Sequence, residues 1–391
     1  MKIQKMMPNA PGYFLLIATL IGMAILLFSG CTKKEPVRVG FVAELTGRQP
    51  ELGVQERNGV QMAIEKINTS GGIAGRQIEL IVRDDLGTPD GARAADRELI
   101  EAGVAAIIGH ATSGQTMAGL PVTNAAHVVM ISPTTSTTDL SGKDDYFLRM
   151  VHTLQDRAGG LAHHVYRRRG LTRLSVLYDT HNASYVQAYL KTFVDKYRSL
   201  GGRVVSEAKF SSTEQPNFDP LLSNLRASKA EGLLIIASDS DTALIAQRTR
   251  LIGWQAPLFT SGWAQTETLI KNGGKAVEGL ELEEGYAINS QAPAFLDFKV
   301  RYQEKFGRPP SFGAAFAYEA ALVLAAALQK TGGKTAGLKE TLLGIRDFQG
   351  LVDTFSFDKY GDVMRTFYLG VVRNGRFVDL ERFEPPKEVR K

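Results

Sequence analysis

The chain has 391 residues, 44% hydrophobic and 22% charged, an ordinary globular composition with room for two domains and a buried core in each. The net charge of +5 falls by two, to +3, if Lys2 and Lys5 leave with an N-terminal leader. The remaining Lys and Arg are scattered without aromatic interleaving or a known motif, so no nucleic-acid partner is expected. A single cysteine, Cys31, excludes disulfides and cysteine-built metal sites in the folded part.

Lys2 and Lys5 precede an uncharged apolar run over 13–28, and Ser29-Gly30-Cys31 follows, the pattern of a secretory signal peptide. A membrane-spanning anchor is the rival reading, but the run is shorter than the roughly 20 residues needed to cross a bilayer. Residues 37–43 (VRVGFVA) predict a first strand, apolar through its centre as in a parallel sheet covered on both faces. A loop over 44–51 leads into a helix over about 53–69, with Val54, Val60, Ala63, Ile64 and Ile67 near helical spacing and Ser70-Gly71-Gly72 ending it. The second strand is expected at 76–83. Asp84-Asp85 and Pro89-Asp90 follow, then a helix to about 102. The paired aspartates could hold a metal, although carboxylates between a strand and a helix more often serve the loop and the cap.

The stretch over 107–140 carries most information. A strand over 104–109 runs into a turn at His110, with Ser113 as the cap of a helix reaching about 126. A strand over 128–131 then runs into Ser132-Pro133-Thr134-Thr135-Ser136. Parallel strands of a doubly wound sheet end on one edge, and ligands settle in the crevice outside their carboxyl ends. Free N–H groups at a helix start, with Ser and Thr hydroxyls beside them, suit a carboxylate, although the same residues are ordinary caps.

Strand and helix keep alternating: helix 153–169, strand 173–178, helix 184–200, strand 203–210, helix 218–228, strand 232–237, helix 241–252, strand 257–260. Tyr166-Arg167-Arg168-Arg169 is the one dense basic run and reads as a solvated helix end before Gly170. Residues 293–306 and 313–330 predict long helices, the second so rich in Ala that it should pack closely against a sheet. Strands follow at 354–357, 367–373 and 376–378, with Arg373-Asn374-Gly375-Arg376 as a hairpin turn. No short internal repeat is visible, although two similar βα halves could hide one.

Enzyme motifs fail one by one. Gly332-Gly333-Lys334-Thr335 looks like the end of a P-loop, but Leu328 stands where that loop needs Gly, and a helix precedes it. Ser206 and Lys209 have the spacing of a Ser-Lys nucleophile pair yet lie in a strand, on opposite faces. There is no Gly-x-Ser-x-Gly elbow and no His-Glu-x-x-His, and His163 and His164 diverge on their helix. Asn182-Ala183-Ser184 has the glycosylation pattern, which means little behind a bacterial type of leader. No catalysis, metal or cofactor is expected; an α/β hydrolase is the rival that the missing nucleophile and base disfavour.

Residues 40–47, Gly71-Gly72-Ile73-Ala74-Gly75, Asp84-Asp85, Ile108-Gly109-His110 and Met130-Ile131-Ser132-Pro133 together resemble the leucine/isoleucine/valine-binding proteins of bacterial ABC uptake systems, over about 37–378. Phe28-Ser29-Gly30-Cys31 resembles a bacterial lipobox, with Phe28 where Leu is commonest, in which signal peptidase II cuts before a lipidated Cys. The resemblance implies an α/β fold of two Rossmann-like lobes with parallel sheets, joined by three hinge crossovers, the type I periplasmic binding protein arrangement. The crossovers are expected near 150–153, 283–287 and 350–353. This divides the chain into a signal peptide (1–30), a lipidated tether (31–36), lobe 1 (37–151 and 285–351), lobe 2 (152–284 and 352–380) and a C-terminal tail (381–391).

Carried over by position, the family's anchor for a ligand's carboxylate and amino group falls on Ser113, Thr134 and Ser136. The second lobe departs from the family. Ala183 stands where a ligand-contacting Tyr is common, with Tyr185 two residues on, and Trp263 stands at or beside the position of an acidic residue that holds the ammonium. Leu52 replaces an aromatic in the first loop, and Asp239 or Asp241 could supply the lost negative charge or simply cap a helix. The protein so implied is a monomeric periplasmic or extracytoplasmic lipoprotein, anchored to the membrane through Cys31. It would capture a small carboxylate-bearing ligand, an amino acid or an aromatic acid, and deliver it to the membrane permease of an ABC transporter. A ligand-sensing subunit of a signalling receptor is the alternative.

Overall fold

The computed structural model describes residues 34–47 and 50–384, so the leader, Cys31 and residues 385–391 lie outside it. Runs of apolar, β-branched residues set two sheets. In the first lobe β1 (Val37–Ala43), β2 (Ile78–Asp84), β3 (Ala106–Gly109), β4 (Val129–Ser132) and β5 (Phe147–Arg149) lie parallel in the order β2-β1-β3-β4-β5. Parallel neighbours need crossover helices, and α1 (Glu51–Thr69), α2 (Pro89–Glu101) and α3 (Ser113–Ala125) supply them.

After α4 (Leu154–Arg167) the second lobe repeats this plan. It runs β6 (Arg173–Asp179), α5 (Ala183–Ser199), β7 (Arg203–Phe210), α6 (Phe218–Ala227), β8 (Gly232–Ile236), α7 (Asp239–Leu251), β9 (Leu258–Thr260), α8 (Glu267–Gly273) and β10 (Glu281–Glu284). Its order, β7-β6-β8-β9-β10, is that of the first sheet, so the two halves are one topology used twice. The chain then returns to the first lobe with α9 (Pro293–Phe306), α10 (Phe312–Lys330), α11 (Leu338–Leu343) and a small antiparallel group, β11 (Phe348–Gln349), β12 (Thr354–Phe357) and β13 (Val363–Met364). Finally β14 (Phe367–Val372), antiparallel to β10, and β15 (Phe377–Phe383), antiparallel to β14, extend the second sheet, joined by the expected turn with Asn374 and Gly375 at φ 53° and 66°.

Three features differ from expectation. Helix α10 has the length and apolarity of a membrane span, yet it is a core helix that meets α1 rather than only the sheet: a methyl added at Gly59 would sit 2.1 Å from the Ala314 carbonyl oxygen. The third crossing falls later than 350–353. Phe355, Phe357 and Val363 pack into the core of the first lobe, so the chain crosses at Arg365 and Thr366, and β15 continues through residues expected in the tail. Strand β10 is the third. Glu281-Leu282-Glu283-Glu284 is buried throughout, which an acidic sequence conceals; Glu281 pairs with His164 (2.7 Å) and with Arg169 (3.3 Å) of the basic run, and Glu283 pairs with Arg157 (2.8 Å).

Where the chain crosses between lobes, Arg365 is almost fully buried. Its guanidinium pairs with Glu319 (2.6 Å) and Asp353 (2.7 Å) and lies over the rings of Tyr286, Phe316 and Phe355. Burial alone would lower its pKa, but the charges of Glu319 and Asp353 more than offset this and raise it. Its carbonyl also bonds the His152 ring in the first crossing, and Tyr286 lies in the second.

At the end of β3, His110 is buried between two carboxylates, Asp85 (2.7 Å from Nδ1) and Asp96 (3.2 Å from Nε2). Asp85 and Asp84 are loop groups here: Asp85 accepts from the Gly87 amide, and Asp84 accepts from the Leu45 and Leu86 amides. Burial disfavours a charged ring, but Asp85 and Asp96 more than compensate and push His110 up to about 9. Because the folded value lies above the ordinary 6.5, the stability this group contributes is fully present below pH 6.5 and is lost as the pH rises through 9. A His110→Gln variant should therefore melt lower than the parent at pH 6.5 and show a shallower fall in melting temperature between pH 6.5 and 9. Calorimetry across that range checks this; an unchanged slope would refute a charged His110.

Candidate functional site

In both sheets the strand order reverses beside the first strand, and the loops leaving the carboxyl ends there face a common cleft. A narrow chamber in it is lined by Leu52, Ala111, Thr112, Ser113, Thr134, Ser136 and Phe312 from the first lobe, and by Arg157, Asn182, Tyr185 and Trp263 from the second. The lobes meet closely around it: the Leu154 amide donates to the Ser136 carbonyl (3.1 Å). Entry of a solute requires them to part. A larger recess lies at the crossings, between His163, Lys196, Asp358 and Phe383, away from the strand ends.

Helix α3 starts at the chamber. Ser113 is its first helical residue rather than its cap; Thr112 holds the cap position at φ −112°, ψ 152°, and no side chain caps the helix. The first-turn amides of such a helix have no partner within it and carry its positive end. The Thr112 and Ser136 hydroxyl oxygens are buried beside it with no hydrogen-bond partner. The loops are held rigidly. Ser132 donates to the His110 carbonyl (2.6 Å), the Thr135 amide donates to Ser132 Oγ (3.0 Å), and Thr135 and Thr116 share a hydroxyl bond (2.7 Å).

Thr134 serves a different end. Its Oγ1 lies 2.6 Å from both Glu56 Oε1 and the Ala111 carbonyl oxygen, and a hydroxyl has only one proton to give. Thr134 therefore gives that proton either to Glu56 or to the Ala111 carbonyl, and burial pushes the Glu56 pKa up to about 8. Thr134 lines the chamber with its hydroxyl proton already committed.

On the other side, the Tyr185 ring meets Trp263 edge to face (centroids 5.6 Å apart, 72° between planes) and tilts against Tyr189. Trp263 sits in a short turn, Gly262–Ala264, after β9. The hydroxyl oxygens of Tyr185 and Ser261, Oδ1 of Asn182 and Nε of Arg157 are buried without a partner. Burial and the charge of Glu283 both raise the Tyr185 pKa, keeping the phenol neutral. Arg157 gives one N–H to Glu283 (2.8 Å), and that carboxylate also accepts from the Gly262 amide (2.7 Å) and the Tyr189 hydroxyl (3.3 Å).

Of the sequence candidates, Ser113, Thr134, Ser136, Tyr185 and Trp263 meet in this chamber. Asp239 does not. It lines an outer recess with Asp241, Ser238 and Thr266, beyond Trp263, Leu52 and Thr112, which border both spaces. Its carboxylate accepts from the Thr266 hydroxyl (2.5 Å) and the Ser240 amide (2.7 Å), and Ser238, not either aspartate, caps α7. Sequence reasoning missed Thr112, Arg157, Asn182 and Ser261. Asn182 was legible as the residue opening the helix after a strand; Arg157 was not, because its position depends on burial against Glu283.

The family model described as periplasmic binding protein matches residues 36–376. The chain is 22% identical over 333 residues to the leucine-, isoleucine-, valine-, threonine- and alanine-binding protein of Pseudomonas aeruginosa, covering 84% of this chain and 87% of that one. The leucine-binding protein LivK from Thermotoga maritima MSB8 superposes with a TM-score of 0.82 at 25% identity, over 89% of this chain and 99% of its own. An ABC transporter solute-binding protein from Rhodopseudomonas palustris BisB5, in complex with 3,4-dihydroxybenzoic acid, superposes with a TM-score of 0.81 at 22% identity, over 90% and 98%. With its two-lobed fold of parallel sheets and a family match spanning nearly all of the described residues, the chain belongs to the periplasmic binding protein family.

Proposed function

We propose that this protein is the extracytoplasmic solute receptor of an ABC-type uptake system, binding a small carboxylate between its lobes and catalysing no reaction. One observation carries the reading: a helix start without a side-chain cap, flanked by the buried, unpartnered hydroxyls of Thr112 and Ser136, faces an apolar and aromatic wall across a closed cleft. The related proteins that bind branched-chain amino acids or 3,4-dihydroxybenzoic acid support the same class of solute. Ser113, Ser136 and the α3 amides hold the carboxylate, Thr134 fixes the loop beneath it, and Tyr185 and Trp263 close over its body. Asp239 belongs to the mouth of the cleft. Delivery to a permease is the function of such a receptor; a neighbouring gene for a histidine kinase in place of a permease would instead favour signalling.

A thermal-shift screen of amino acids, aromatic acids, amides and short peptides finds the ligand, since a solute that binds only the folded protein raises its melting temperature. With that ligand, Ser136→Ala should weaken binding roughly ten- to a hundredfold, as about 1.5–3 kcal/mol is lost with one hydrogen bond to a charged group. Thr134→Val should act mainly on melting temperature, through Glu56, and titration calorimetry on both variants separates the two roles.

Trp263→Ala should cost a ring-bearing ligand more than a small one, by about 2–4 kcal/mol of lost packing and edge contact. Equal losses for benzoate and acetate would make Trp263 a packing residue only.

Membrane attachment rests on Cys31. A Cys31→Ala variant should leave the detergent phase in a Triton X-114 partition, because a lipidated N-terminus is its anchor. Retention there would refute lipidation.

A further inference from the structure

We infer that the chamber selects a carboxylate whose remaining body is uncharged, an acid lacking the α-ammonium of an amino acid. This rests on the cleft reading above and narrows it. The chamber lining offers hydroxyls, one amide, one guanidinium and apolar walls, and contains no carboxylate. Two acids stand behind the lining, and both are spent. Glu283 is occupied by Arg157, the Gly262 amide and Tyr189, so that Arg157 and Glu283 cancel as charges. Glu56 lies behind Thr134, bonded to its hydroxyl, and burial pushes its pKa up to about 8, against the charged form.

The remaining acids, Glu51, Asp239 and Asp241, belong to the outer recess on the other side of Trp263 and Leu52, and Glu51 is paired there with Arg308. An α-ammonium is one carbon away from its carboxylate and must enter the chamber with it, so those acids serve only a charge at the far end of a long ligand. Inside, an ammonium would exchange water for neutral oxygens while facing the partly unpaired Arg157, a desolvation without a countercharge. Of those oxygens, Asn182 Oδ1 and the Tyr185 hydroxyl suit a neutral O–H on the ligand. Trp263 and Tyr185 opposite Leu52 and Phe312 suit a flat or branched apolar body.

The test uses pairs that differ only in the ammonium: 3-phenylpropanoate against L-phenylalanine, and 4-methylpentanoate against L-leucine, by titration calorimetry at pH 7. Benzoate and 4-hydroxybenzoate complete the panel. The expected result is that the des-amino acid of a pair binds at least tenfold more tightly. An amino acid that binds as tightly as its partner, or more so, overturns the inference and leaves the carboxylate receptor standing. If none of the six binds, the carboxylate reading falls with it. Asn182→Asp, which places a carboxylate in the chamber at nearly constant shape, should move the ratio at least tenfold toward the amino acid. An unchanged ratio in a variant with native melting behaviour also counts against the inference, and the wild-type ratio decides if that variant does not fold.

Discussion

A guanidinium buried where the chain crosses between lobes holds the architecture together. Arg365 has lost its water and is tolerable only because Glu319 and Asp353 pair with it and three rings stack around it. Removing one member of such a pair typically costs about 3–5 kcal/mol, against a whole-domain stability of about 5–15 kcal/mol. The cluster gathers all three crossings: His152 bonds the Arg365 carbonyl, Tyr286 lies under the guanidinium, and Thr366 donates to Asp353. The three crossings thus share one buried, charge-paired cluster where the lobes join.

Buried charge is used differently on the two sides of the cleft. Within the first lobe, Asp85 and Asp96 push the His110 ring up to about 9, while burial pushes Glu56 up to about 8. The loops that carry Ser113 and Ser136 are braced by these groups, which leaves the Ser136 hydroxyl without a local partner, while that of Ser113 accepts from the Thr137 amide (3.4 Å). In the second lobe, Glu283 at the end of a buried acidic strand fixes Arg157 and the turn that presents Trp263. Both halves put their rigid electrostatics one layer back from the solute.

Much of this could be read from the chain. Regular alternation of apolar runs with helical spacing placed most strands within two residues of their observed ends, strand-end logic pointed to the loops after β3 and β4, and the resemblance named Ser113, Thr134 and Ser136 on them. What escaped was tertiary. No strand is read at Glu281 to Glu284, because Glu281 and Glu283 become tolerable inside only when His164, Arg169 and Arg157 arrive from far away in sequence to pair with them. The third crossing was misplaced because Phe355 and Phe357 alternate as any strand does, and nothing local says which core they enter. The bond from Thr134 to Glu56, 78 residues earlier, was likewise hidden from any local pattern.

Helix α3 begins without a side chain to close its first turn, although Thr112 and Ser113 are residues that ordinarily do so. A carboxylate arriving at that spot would supply the missing acceptor, so the solute becomes, in effect, the terminal residue of a secondary-structure element. Recognition would then bear on local order, because the guest would complete the hydrogen bonding of the first turn of α3. Any partner that distinguishes loaded from empty receptor has, in the firmness of this one helical end and the lobe that folds over it, a signal that does not depend on the identity of the guest's remaining atoms.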